Sequence, residues 1–274
     1  MKKVIWLAVI AVFVAAGSCV PAASAATNKI VVEGSTTVLP IAQKAAEVFM
    51  SKNPAVDISV RGGGSGVGIA SLIDGTCDIG DSSRSMKDAE LEKAGQRGKS
   101  PKANVISMDG IAVIVNPSNG LSALTKQQLK EIFTGSVSKW SDVGGTGDKI
   151  VVVSRDSSSG TFEAFGALAL DGHKVRADAL MQASNQAVAS VIAKTPGAIG
   201  YVGLGYINGE VKAIPINGVE PSKETVLSGK YPLSRPLFMY TNGAPQGATK
   251  AFIDFIMSDD GQKIVDEEGF VALK

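Results

Sequence analysis

Four times in this chain a short β-branched run passes through a turn of Ser, Thr and Gly into a stretch with helical apolar spacing. The turns lie at 34–37, 62–68, 81–84 and 155–161. The runs before them, such as Lys29–Glu33 (KIVVE), Val56–Val60 and Ile150–Val153, have uninterrupted or nearly uninterrupted apolar centres, as strands covered on both faces do. Strands that alternate with helices need crossover connections, which confines the chain to an α/β fold with a largely parallel sheet. In such a sheet the turns that follow the strand C-termini gather along one edge, where ligands bind.

The fourth unit carries the most chemistry. After Ile150–Val153 come Ser154, Arg155 and Asp156, three serines, Gly160 and Thr161, and then an apolar helical stretch. A helix that starts there leaves backbone N–H groups unpaired at its positive end, a natural seat for a small anion. Arg155 adds a planar cation able to grip two oxygens. The plainer alternative is an N-cap by Ser159 or Thr161 with Arg155 at the surface.

Elsewhere, Pro40 suits the first turn of a helix with Ile41, Ala45, Val48 and Phe49 on its apolar face. A basic linker is expected from Arg97 to Lys102, then a long extended segment over 105–115 broken at Asp109-Gly110. Thr125 caps a helix to Phe133, residues 174–194 read as one or two helices, and 199–202 and 213–216 as strands. An extended return segment over 232–240 leads to a helical region from 250 to 266.

The first residues are a targeting segment. Lys2 and Lys3 precede an apolar run from Val4 to Ala16 that is too short to span a bilayer, and Ala23-Ser24-Ala25 supplies a cleavage site. A signal peptide over 1–25 predicts export to the periplasm. Lipid attachment at Cys19 is the less favoured outcome, because Ala16 stands where such sites carry a larger aliphatic. About 249 residues follow Ala25, and Cys77 is the one cysteine among them, so the fold relies on its core rather than on a disulfide. The net charge of +1 argues against a nucleic-acid partner.

Catalysis is not expected. A serine nucleophile needs a base, and the single histidine, His173, sits in an Asp-Gly-His loop. Neither a Gly-x-Ser-x-Gly elbow nor a P-loop occurs, the glycines at 62–68 miss the dinucleotide spacing, and no Cys/His cluster could hold zinc. No cofactor or metal is expected either.

Taken together, Gly34-Ser35-Thr36-Thr37, Gly64-Ser65-Gly66, Ile79-Gly80-Asp81-Ser82-Ser83-Arg84 and Arg155-Asp156-Ser157-Ser158-Ser159-Gly160-Thr161 resemble the secreted phosphate-binding proteins of bacterial ABC phosphate importers. The resemblance extends to Asp109–Val113, Phe133-Thr134-Gly135 with Trp140-Ser141-Asp142, and Gly197–Tyr201. It implies a two-lobed periplasmic-binding-protein fold of type II, each lobe a mostly parallel sheet flanked by helices, joined by two hinge strands. Lobe I would comprise 26–108 and 222–274, and lobe II 109–221. It also implies a monomer that binds inorganic phosphate and delivers it to an ABC permease in the inner membrane; the alternatives are a binding protein for another tetrahedral oxyanion, sulfate or molybdate, and a secreted anion-sensing module without a transport role.

Carried over residue by residue, the family's phosphate contacts fall on Thr36 and Thr37, on Ser65, on Ser82 or Ser83, and on Arg155, Ser159, Gly160 and Thr161. One departure matters. Longer members carry in the third turn an Asp that accepts the phosphate's proton, and Ser83 stands there in this chain. Sulfate has no proton at neutral pH, so such an acceptor discriminates between the two anions; an unmatched buried donor costs about 1–3 kcal/mol. Asp109 could take over the acceptor role, with Asp81 and Glu33 behind it; their alternative roles are, respectively, a strand-end turn, an Asx cap and a surface strand residue.

Overall fold

The computed structural model describes residues 28–146 and 149–274. The signal-peptide assignment over 1–25, including Cys19, lies outside the described residues. Among those described, no helix is long and apolar enough to cross a membrane.

The repeated units expected from the sequence are present. The first half of the chain runs β1 (Asn28–Gly34), α1 (Leu39–Lys52), β2 (Val56–Gly62), α2 (Ser65–Asp74), β3 (Ile79–Ser82), α3 (Asp88–Gln96) and β4 (Pro101–Val115). The second continues through α4 (Lys126–Thr134), β5 (Val151–Arg155), α5 (Gly160–Ala169), β6 (Leu180–Gln182), α6 (Asn185–Lys194), β7 (Ala198–Gly203) and β8 (Lys212–Ile214). Then α7 (Lys223–Leu227), β9 (Ser234–Asn242), α8 (Gly247–Met257) and α9 (Asp259–Glu267) complete the described elements. The local signals act as their chemistry requires. Pro40 lies in the first turn of α1, and Thr125 and Gln128 form a reciprocal cap on α4.

The strand order β2-β1-β3-β9-β4 makes one sheet, with β1 parallel to β2 and β3, and β9 antiparallel to β3 and β4. β4 is long enough to serve twice. Pro101–Gly110 pairs with β9, whereas Ile111–Val115 pairs with β7 and β8 in a second sheet, which β5 and β6 extend in parallel. β4 and β9 are therefore the crossing strands of a two-lobed, type II architecture.

Each lobe has its own core. Ile30, Val32, Ile41, Phe49, Met239 and Phe252 belong to one apolar cluster, and Val113, Phe133, Trp140, Phe165 and Tyr201 to another. The second is pinned by Phe165 stacked on Tyr201, with ring centroids 3.9 Å apart. Val226, Tyr231 and Leu233, grouped by the sequence with the first lobe, pack in the second cluster.

Three expectations need correction. The long extended segment is not broken at Asp109-Gly110: both residues lie within β4, paired with Arg235 and Ser234. Residues 174–194 are not all helical: Leu180–Gln182 is a short edge strand beside β5, and the helix begins only after Ser184, whose hydroxyl accepts from Ala187 N–H at 3.1 Å. The basic linker is also shorter, because Pro101 and Lys102 already pair with Asn242 and Thr241.

Candidate functional site

The N-termini of α1, α2, α5 and α6 meet where the two lobes face each other, bringing together side chains far apart in the sequence. The Thr37 and Thr161 hydroxyls lie 2.9 Å apart across the interface. Asn185, the first residue of α6, donates through Nδ2 to Thr36 Oγ1 and Thr37 Oγ1, both at 3.1 Å, and its Oδ1 accepts from Gly203 N–H. The Tyr206 hydroxyl donates to Thr36 O at 2.5 Å, fixing the first turn from the other lobe.

Arg155 ends β5 and is 1% exposed. Its Nε donates to Gln182 O and its Nη2 to Ala183 O, each at 3.1 Å, so the edge strand β6 and the residue after it orient the guanidinium. Nη2 also donates to Thr36 Oγ1 at 3.2 Å, whereas the buried Nη1 has no hydrogen-bond partner among the described residues. All three of these side-chain hydrogen bonds go to neutral oxygens rather than to a carboxylate. Burial pulls this guanidinium below its ordinary value, opposed by the Tyr201 hydroxyl and the Asp156 carboxylate.

The remaining predicted residues separate clearly. Ser65 and Ser83 place their hydroxyls 3.3 Å apart, and Ser83 N–H donates to Ser65 Oγ at 3.0 Å. Gly160 lies so close that a Cβ there would be 2.2 Å from Ser65 Oγ and 2.8 Å from Ser83 Oγ. Ser159 caps α5 by accepting from Phe162 N–H at 3.2 Å. Ser82 turns away from the group, its hydroxyl donating to Arg84 O at 2.7 Å. Asp109 is wholly buried and accepts from Arg235 Nε and Nη2 at 3.1 and 2.8 Å on one oxygen and from Leu204 N–H at 2.9 Å on the other. Burial pushes the Asp109 carboxyl upward, and the Arg235 charge and the Leu204 N–H pull it back.

Arg235 and Asn185 are the residues the sequence reading missed. Arg235 interrupts an otherwise apolar return strand, which is a signal in itself. Asn185 follows another hydroxyl-bearing turn, Ala183-Ser184, at a helix start.

The arrangement is rich in donors. Thr37 Oγ1 can donate to the Thr161 hydroxyl while its two lone pairs accept from Asn185 Nδ2 and Arg235 Nη2 (3.4 Å), so it has no acceptor capacity to spare, and Arg155 Nη1 is left without a partner. Helix N-termini and an arginine bonded to neutral oxygens add positive potential of the same sense. A compact oxyanion with several acceptor oxygens suits such a site.

At the rim a second contact joins the lobes. Glu163 of α5 lies 2.9 Å from Arg84 Nε and 2.8 Å from Lys87 Nζ, and Arg84 is clamped in turn by both oxygens of Glu90 at 2.8 Å. Further in, Gly66 N–H donates to Ser158 O at 2.9 Å, and Ser158 Oγ donates to Gly63 O at 3.1 Å.

Comparison with known proteins gives a consistent result. A model of the PBP superfamily domain matches residues 20–260. The chain is 37% identical to the phosphate-binding protein PstS of Bacillus subtilis over 90% of its own length and 82% of that protein. Its identity to PstS of Borreliella burgdorferi is 32%, covering 88% of each. Among solved structures, a putative phosphate ABC transporter substrate-binding protein from Clostridium perfringens, with bound phosphate, superimposes with a TM-score of 0.84 at 35% identity over 90% of this chain and 100% of that one. An ABC-type phosphate transport receptor from Vibrio cholerae gives 0.74 at 31% identity, over 88% and 99%.

Proposed function

The chain belongs to the PBP superfamily, among the phosphate-binding proteins of ABC importers, and on that premise we propose that it captures inorganic phosphate between its lobes outside the cytoplasm and hands it to an importer in the membrane. The observation that carries this reading is the buried, unpartnered Arg155 Nη1 at a point where four helix N-termini converge. In this reading Arg155 supplies charge and a bidentate grip. Thr36, Thr37, Ser65, Ser83, Ser159 and Thr161 supply hydroxyls, and Gly160 an amide. The protein binds without transforming, since an anion stripped of water and matched at every oxygen needs no catalytic base. The leader-like segment before the described residues supports export.

One observation favours a broader reading, in which other tetrahedral oxyanions such as sulfate bind as well. Ser83 replaces an acceptor carboxylate, and both Asp109 oxygens are already engaged. Hydroxyls can accept as well as donate a proton, so a protonated phosphate still finds acceptors in the pocket. Calorimetric titration of the anion-stripped protein with phosphate and then sulfate separates the two. Tight phosphate binding without a sulfate response is expected; equal binding supports the broader reading, and silence with both refutes anion transport.

Closure in this reading includes the Glu163 contacts at the rim. Glu163→Gln is expected to weaken phosphate binding about fivefold, equivalent to about 1 kcal/mol for a partly exposed ion-pair network. The loss should shrink as ionic strength rises. A variant that matches the unaltered protein at low salt would remove these contacts from the closed state's energetics.

A further inference from the structure

Arg235 differs from the other residues around the donor cluster because it belongs to no turn. It lies on the crossing strand β9, paired in register with Asp109 on the crossing strand β4. The Arg235 side chain is 4% exposed and that of Asp109 0%. A buried ion pair is weak evidence of added stability, because desolvation offsets most of the attraction. Its placement is more telling. Beyond Asp109, the guanidinium donates through Nη1 to Ser83 O at 3.2 Å and directs Nη2 at Thr37 Oγ1, 3.4 Å away. The Thr37 contact is long for an N–H···O bond, so that donor has little invested in its present acceptor. It is aimed where Asn185 Nδ2 and Thr161 Oγ1 also meet.

We propose that Arg235 is a second guanidinium in anion recognition, and that Asp109 acts as its positioning residue rather than as an acceptor for the ligand's proton. This rests on the phosphate reading above. Asp109 holds the fork by two N–H groups and cancels its charge, so the pair brings donors to the anion while Arg155 remains the uncompensated cation. Leu204 N–H on the remaining Asp109 oxygen keeps the carboxylate from turning toward a ligand.

The test compares the unaltered protein with Arg235→Lys and with the double variant D109N/R235Q, which removes both buried charges together. Phosphate and sulfate affinities are measured by calorimetry, and melting of the anion-free proteins is followed in parallel. The double variant is expected to fold, to bind phosphate about thirtyfold more weakly or worse, and to keep the phosphate-to-sulfate ratio of the unaltered protein. Phosphate affinity within about threefold of the unaltered protein would reduce the pair to scaffolding and overturn the proposal. A collapsed ratio would instead restore Asp109 as the proton acceptor and overturn its positioning role. If the double variant does not fold, Arg235→Lys decides: a loss of about tenfold or more supports the second guanidinium, and a loss under about threefold refutes it. An unaltered protein that binds neither anion refutes the phosphate reading and this inference together; normal binding with an unaffected double variant refutes only the latter.

Discussion

Arg155→Ala is expected to weaken phosphate binding by at least about 2 kcal/mol, or about thirtyfold, the loss of a charge-assisted bidentate contact. The hydrogen bonds of this guanidinium go to neutral oxygens, and its Nη1 is buried without a partner among the described residues. Both features are those expected of a side chain that meets an acceptor outside the protein. Gln182 O and Ala183 O fix its direction, so Arg155→Lys, which keeps the charge but loses the planar fork, should recover only part of the affinity. Titration calorimetry checks the affinity, and the rise in melting temperature on adding phosphate should vanish in the alanine variant. Near-normal affinity in Arg155→Ala would remove this residue from the site.

Gly160→Ala should be comparably damaging to binding, and for a different reason. A methyl group there would fall 2.2 Å from Ser65 Oγ and 2.8 Å from both Ser65 Cβ and Ser83 Oγ. A hydroxyl can rotate aside, but Ser65 Cβ is tied to the backbone at the start of α2. Gly160 lies on one lobe and the serines on the other, so the methyl obstructs their approach without disturbing either core. As the first residue of α5, Gly160 can become Ala without loss of helix stability. The expected signature is therefore split: phosphate affinity falls about tenfold or more by the cost of overpacking, while the melting temperature of the anion-free protein is unchanged or slightly higher. A parallel fall in both would point to a folding defect and away from blocked closure.

What the sequence revealed follows from how local each signal is. The strand–turn–helix units were legible because periodicity and turn chemistry act within a few residues, and the turn hydroxyls came with them. The partners that complete the cluster act across the chain. Asn185 reaches Thr36 from 149 positions away, and Arg235 reaches Asp109 from 126. Asp109 was therefore visible as a carboxylate near a turn, but its engagement by a guanidinium was not. Strand β6 escaped because it has three residues, and Leu180 and Met181 stand exposed at the sheet edge, so no burial pattern marks it. Ser82 and Ser83 were indistinguishable as adjacent hydroxyls. Only the backbone conformation turns the first into its own loop and the second toward Ser65.

The absence of a side chain at Gly160 also decides which molecules the closed lobes can enclose. The wall it forms with Ser65 and Ser83 has no room for a single added carbon. Free phosphate presents four oxygens of one size, each a match for a donor. A sugar phosphate or a nucleotide replaces one of them with a linkage to an organic group, which would hold the lobes apart wherever it pointed into that wall. On the phosphate reading, an ester whose organic group pointed into that wall would be turned away by shape before any charge is compared, leaving the free ion as the better guest.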